Sequence, residues 1–338
     1  MKKVLFSLCA VFFSAGLFTS CLFGNKEAKI SKRPITLRLS EVHAKDYPTS
    51  LADEEFARLV EEKTEGRVII EVRTGGALSS NETDAIEALQ CGDLAFSRVS
   101  LAPVAAYVPK LNALCLPYLY KSSEHMWKVL NGSIGQDMLD DLEKSDAGLI
   151  GLCYYDSGAR NFYLTKEVHS VSDMEGLRIR VQTNPMMVDM CSCLGATGVT
   201  GIGTDAVYGE IQSGSIDGAE NNWPTYQSMG DYKVTDFYIL DQHTRVPEVL
   251  IASKKVMERV SAEDLALIKQ AAKETCEFEI QKWKEKELSA EKTVRANGNR
   301  IIELSPSAYA EFQNAMQPLY EKYGRDYTSV INAIKSTN

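Results

Sequence analysis

Residues 261–297 contain neither proline nor glycine, a run long enough to dictate what the rest of the chain can be. Ser261 offers an N-cap hydroxyl and Asp264 an acid in the first turn, so the run reads as one helix. At 1.5 Å per residue, about 36 residues make a helix of about 54 Å. A small domain is narrower than that, so the helix is expected to cross two. The chain of 338 residues, 44% of them hydrophobic, has the material for two cores.

The segments before it alternate in type. ITLRLS (35–40) has the period of a strand, and the loop VHAKDYP follows it. SLADEEFARLVEEKTEG places Leu51, Phe56, Leu59 and Val60 on one helical face and stops at Gly66. RVIIEVRTGG then reads as a strand and ETDAIEALQCGD as a helix, a β-α-β-α rhythm that points to a mostly parallel sheet under helices. The pattern continues with the strand LAFSRVS, one helix over 123–142 and the strand GLIGLCYY. After these come GLRIRV, a helix over 185–194, a short VTGIG segment, a helix at AVYGEIQSG, and the strands SIDGAENN, YKVTDFYIL and VLIAS. There is no internal repeat.

Residues 1–20 read as a secretory signal: Lys2 and Lys3, the apolar run VLFSLCAVFF, then Thr19 and Ser20 before Cys21. Cys21 at that place resembles the acylated cysteine of bacterial lipoproteins, with Phe18 where that pattern prefers leucine. A plain cleaved signal is the alternative. Residues 21–34 are polar after Phe23 and read as a tether. Removing residues 1–20 takes away two lysines and no acid, leaving 35 basic against 46 acidic residues and a net charge of −11. Such a charge argues against nucleic acid as a partner. Past the signal no apolar run approaches the roughly 18 to 20 residues needed to span a bilayer, which leaves the lipid anchor as the one membrane attachment expected.

Catalytic and metal motifs are missing. There is no H-E-x-x-H, no G-x-x-x-x-G-K-S/T, no G-x-S-x-G and no C-x-x-C, and GVTGIG has the wrong glycine spacing for a dinucleotide site. The four histidines are scattered, and the six cysteines beyond Cys21 have irregular spacings that predict no bridge, no metal and no cofactor. A hydrolase using paired carboxylates stays open without support.

Four arginines fall in apolar, strand-like or turn contexts: Arg98 in LAFSRVS, Arg160 after GLIGLCYYDSG, and Arg178 and Arg180 in GLRIRV. A guanidinium is a permanently charged planar fork that matches a carboxylate bidentately. Inside a fold it requires an anion, from the protein or from a ligand. Arg178, at the strand start, is expected to be structural. Arg180 lies nearer the C-terminal end, where open α/β sheets place their ligands, and is read as a ligand contact. The cluster DGAENNWP adds Asn221 and Asn222, which suit a ligand with hydroxyls beside a carboxylate or, equally for Asn222, a turn. Trp223 and Tyr226 could line a pocket but are more often core.

The runs EFARLVEEKTEGRVIIEVRTGGAL, LPYLY, GLRIRV, LGATGV, DAVYGEIQSGSIDGAENN and HTRVPEVLIASKKV, in that order, resemble the DctP-type solute-binding proteins of TRAP transporters from about residue 35 to the C-terminus. The resemblance implies an α/β periplasmic-binding-protein fold, type II-like, with two α/β domains, a ligand cleft between them and one long helix spanning both. The expected division is 35–156 plus 246–284 against 157–245 plus 285–338. It implies a monomeric binding protein, not an enzyme, that delivers an organic acid to permease subunits; a sensor kinase as partner stays open. The family's carboxylate-binding arginine matches Arg180, a second arginine matches Arg160 in GARNF, and the asparagine of DGxEN matches Asn221. Gln182 and Asn222 stand where many members have proline. SRVS, YYDSGARNFY and AENNWP look more like the uronate-binding branch than like binders of C4-dicarboxylates or sialic acid. Arg98, Asn222 and His43 are then further expected contacts.

Overall fold

The computed structural model describes residues 34–338; the expected signal, Cys21 and nearly all of the tether lie outside the described residues. The described chain is a mixed α/β structure built on two sheets. β1 (Ile35–Ser40), β2 (Val68–Arg73), β3 (Phe96–Ser100), β4 (Leu149–Tyr155) and β10 (Glu248–Ser253) form the first sheet, in the order β2-β1-β3-β10-β4. β5 (Arg160–Leu164), β6 (Arg178–Arg180), β7 (Thr197–Val199), β8 (Gly218–Asn221), β9 (Phe237–Thr244) and β11 (Arg300–Ile302) form the second, in the order β11-β9-β5-β8-β6-β7. Each sheet with its helices is called a lobe below.

Both sheets are mostly parallel, as the β-α-β-α rhythm requires, and the exceptions mark where the chain crosses. β1, β2 and β3 run parallel, whereas β10 is antiparallel to both β3 and β4. In the second sheet β6 is parallel to β7 and β8, whereas β5 is antiparallel to β8 and β9. β5 follows β4 after a crossing at 156–159, and β10 follows β9 after one at 245–247. The other strands of both sheets finish at the space between the lobes. A strand that begins there has to run the opposite way.

The run 261–297 forms one helix, Ala262–Asn297, with Ser261 as N-cap, its side chain accepting from the Asp264 amide, and with left-handed Gly298 as its end. It packs on Pro48–Lys63 and β4 of the first lobe and on Trp223–Ser228 of the second, so one rigid rod of about 54 Å ties both together. Pro48–Lys63 starts with proline at its first position and buries Ala52, Phe56, Ala57 and Val60. Phe56 meets Phe96 edge-on at 5.4 Å inside the first core.

The expected helix over 123–142 is in fact two, Ser123–Leu130 and Ser133–Lys144, separated by Asn131 and Gly132. The break lets the second helix tuck beneath the end of the first, since a Cβ at Gly135 would run into the Leu130 carbonyl. The last helix, Thr328–Ser336, leaves the second sheet and packs on Ser133–Lys144, and the Ile334 carbonyl lies 3.0 Å from His125 Nε2. Among the described residues no helix is long and apolar enough to cross a membrane.

Candidate functional site

A cavity of about 250 Å³ lies between the two sheets, with walls from both lobes and Trp283 of the long helix. His43, Arg98, Arg160, Arg180, Asn221 and Asn222 all line it. The parallel strand order brings this about: Arg180 ends β6, Asn221 ends β8 and Arg160 begins β5, so three separated stretches meet at one edge of the second sheet. Trp223 and Tyr226 do not line it; they pack with Tyr238 at ring distances of 3.8 and 4.9 Å in the second core.

The three buried arginines are in different electrostatic states. Arg180 is 8% exposed and its Nε donates to the Ile202 carbonyl at 3.0 Å. It has no ion-pair partner among the described residues. Arg160, 2% exposed, grips Glu220: Nη2 donates to Oε1 at 2.9 Å and to the Glu220 carbonyl at 2.7 Å, while Nε donates to Oε2. Its Nη1 donates to Asn221 Oδ1 at 3.0 Å. Four of the five guanidinium hydrogens are thereby engaged, and the fifth, on Nη1, is left at the cavity wall.

Arg98, 1% exposed, is enclosed by three of the protein's own carboxylates. Nε donates to Glu41 Oε2 at 2.7 Å and Nη2 to Glu41 Oε1. Nη1 donates to Glu82 at 2.7 Å and to Glu248 at 2.6 Å. The expectation that Arg98 offers its charge to a ligand therefore meets a wall that is acidic in sum. Burial pushes the Glu41 carboxyl up, but Arg98 outweighs it and holds the group down at about 2. Glu248 is pushed up to about 7 by burial, with Arg98 offsetting only part and Glu82 adding repulsion. His43 stacks on Tyr47 at 3.8 Å; burial and the Arg98 charge hold its ring neutral, down to about 3.

Behind Arg160 the charge relay continues inward. His243 Nδ1 lies 2.9 Å from Asp241 and Nε2 lies 3.4 Å from Glu220, with all three residues fully buried. Burial pushes the imidazole down, but the two carboxylates lift it to about 9, so it is a cation at neutral pH. Glu220 is held at about 2 against its burial by Arg160 and His243.

Asn221 and Asn222 divide the two roles expected of asparagine here. Asn221 Oδ1 accepts from Arg160 and from the Asn222 amide at 2.9 Å, holding the corner rigid. Asn222 is the N-cap of Trp223–Ser228 and accepts the Thr225 amide at 2.8 Å. Arg178, by contrast, is exposed and bound to Asp217 at 3.2 Å and to the Gly214 carbonyl at 2.6 Å. The glutamates around Arg98 were not singled out from the sequence, because 57 and 150 positions separate the arginine from Glu41 and Glu248. Glu220 carried a weak signal, as the acidic neighbour of Asn221 in the polar cluster DGAENN.

The lobes also touch directly across the cavity. Tyr47 and Thr225 share a hydrogen bond at 2.8 Å, Gln182 Nε2 donates to Ser100 Oγ at 2.7 Å, and Asn184 Nδ2 donates to the Ala102 carbonyl at 2.7 Å.

Residues 39–326 match the family described as bacterial extracellular solute-binding protein, family 7, DctP. A solute-binding protein of Chromohalobacter salexigens is 35% identical over 294 residues, 87% of this chain and 86% of its own. The crystal structure of a TRAP periplasmic solute-binding protein from a Bradyrhizobium species with galacturonate is 38% identical, with a TM-score of 0.86 over 90% of this chain and 100% of that one. Another from Pseudomonas putida with bound D-glucuronate is 32% identical, with a TM-score of 0.86 over 89% and 97%.

Proposed function

Since this chain belongs to the DctP family of bacterial extracellular solute-binding proteins, we propose that it captures a uronate such as glucuronate or galacturonate and hands it to TRAP permease subunits. The family binds solutes for transport and does not transform them, so the hydrolase alternative falls away.

The observation that carries the reading is the opposed character of the two cavity walls. On the second lobe Arg180 has a buried charge with no ion-pair partner among the described residues, beside the spare Nη1 hydrogen of Arg160. A carboxylate there makes charge-assisted bonds sheltered from water, where they are strongest. On the first lobe Glu41, Glu82 and Glu248 surround one arginine, which offers acceptors and repels a second anion. A uronate has one carboxylate for the first wall and hydroxyl donors for the other; a C4-dicarboxylate would bring a second charge against the glutamates. The relatives crystallised with galacturonate and D-glucuronate support the same choice.

In this reading Arg180 binds the carboxylate, Arg160 and Asn221 position it, and His43 and Asn222 meet the sugar; their shared place on the cavity wall supports it. Arg98 holds the acidic wall in place. The protein works outside the cytoplasmic membrane as a monomer, held there by an acylated Cys21. A thermal-shift screen over D-glucuronate, D-galacturonate, succinate and sialic acid tests the ligand. A ligand bound only by the folded state raises the melting temperature. Uronates are expected to give the largest rise, and a larger rise with succinate overturns the reading.

A further inference from the structure

Gln182 stands two residues after Arg180, on the same cavity wall, and is 7% exposed. Its amide is used at one end. Nε2 donates across the cleft to Ser100 Oγ at 2.7 Å, whereas Oε1 is buried with no hydrogen-bond partner among the described residues. Buried amide oxygens in folded proteins nearly always have a donor, so one left bare at a cavity wall points to a donor that comes with the occupant.

We propose that Gln182 is a specificity residue that accepts a hydrogen bond from a ligand hydroxyl, and that it thereby selects hydroxylated acids over bare dicarboxylates. The inference rests on the capture of a uronate by the cavity. A succinate dianion has no hydrogen to donate and would leave Oε1 as bare as it is in the free protein. A sugar acid has several.

The surroundings hold Gln182 in this role. Ser100, its partner, also donates its amide N–H to Glu82 Oε1 at 3.1 Å, and Glu82 is bound to Arg98. The bridge from Gln182 therefore ends on the acidic wall, and the orientation of its amide is set by both lobes. The segment around it does not depend on that bridge alone. Asn184 donates independently to the Ala102 carbonyl and to Asn112 Oδ1 at 3.0 Å, and its own Oδ1 accepts the Met186 amide at 2.7 Å. Replacing Gln182 thus removes an acceptor and one cross-cleft bond while Asn184 keeps the strand end in place.

The test is calorimetric titration of the wild type and Gln182→Met with D-galacturonate, D-glucuronate, succinate and a set of uronates each lacking one hydroxyl. Methionine keeps the length and loses both polar atoms. The variant is expected to weaken both uronates roughly ten-fold more than it weakens succinate, which loses only the effect of the cross-cleft bond. One deoxy-uronate is expected to lose no more in the variant than succinate does, because the partner hydroxyl is already gone. Equal losses for uronates and succinate would mean that Gln182 acts on closure alone, and undiminished uronate binding would mean that it does not touch the sugar; either overturns the inference and leaves uronate capture standing. Failure of the wild type to bind any uronate overturns both. Gln182→Asn, which keeps the amide but withdraws the oxygen by one methylene, takes the same series if the methionine variant does not fold.

Discussion

Arg160 and Glu220 form a two-pronged ion pair between neighbouring strands of the second sheet, with Nη2 and Nε on the two carboxylate oxygens and both residues at most 2% exposed. One strand further on, Arg180 is buried without such a partner. The same sheet edge therefore holds one cation that the protein has neutralised and one that it has not. Only the second can attract a small acid with its full charge, and the first serves as a rigid shoulder beside it.

Replacing Arg180 with lysine keeps the charge and removes the fork. Ligand affinity is expected to fall by about ten-fold or more, since a point charge cannot hold both carboxylate oxygens at once. Arg178→Lys, at an exposed position bound to Asp217, is expected to leave affinity unchanged. Calorimetric titration of the two variants side by side checks this; equal losses would contradict the assignment of the carboxylate to Arg180.

His243 makes stability fall on the alkaline side. Burial lowers its proton affinity, but Asp241 and Glu220 raise it to about 9 in the folded protein, above the ordinary histidine value of 6.5. A raised value means that the folded state binds the proton more tightly. The contribution is complete below pH 6.5 and is lost as pH rises through about 9. Its size is on the order of 3 kcal/mol. Urea unfolding between pH 6 and 10, with His243→Gln as control, is expected to show a slope that the variant lacks.

Glu248 has the opposite origin and a different window. Its carboxyl sits at about 7 in the folded state against an ordinary glutamate value of 4.5, so ionising it costs stability as pH climbs between those values. Glu248→Gln removes that penalty. The variant is expected to gain about 2–3 kcal/mol relative to the wild type on going from pH 5 to pH 8, measured by denaturant unfolding at both. A gain of the same size at both pH values would place the effect in packing and not in charge.

Trp283 couples the long helix to the cleft. It is 1% exposed, lines the cavity and meets Tyr47 edge-on at 5.9 Å. Trp283→Ala is expected to cost about 3–5 kcal/mol through the void it leaves. Ligand affinity should fall with it, since Tyr47 carries both the His43 stack and the Thr225 bond across the cleft. Thermal unfolding and titration of one preparation read both effects. Leu288→Ala, on the same helix but 73% exposed, is expected to do neither.

What could be read from the chain alone is what depends on neighbours along it. The long helix needed only the absence of proline and glycine over 262–297 and a cap at Ser261, and the structure begins and ends it there. Arg180 was legible as a ligand contact because its apolar neighbours and its place toward the C-terminal end of the strand are local facts, and Asn221 because a polar pair at a strand end is one too. The break at Asn131 and Gly132 was legible too, since Asn-Gly marks a turn, but the reading of one helix over 123–142 passed over it.

The state of each buried arginine was decided only by the tertiary structure. From the sequence Arg98, Arg160 and Arg180 are three similar cations in apolar company. Strand order then brings Glu41, Glu82 and Glu248 to the first and Glu220 to the second, and among the described residues no carboxylate within ion-pair distance to the third. Ion pairing requires a few ångströms of separation, and that separation between residues up to 150 positions apart is set by which strands lie side by side and not by any pattern along the chain.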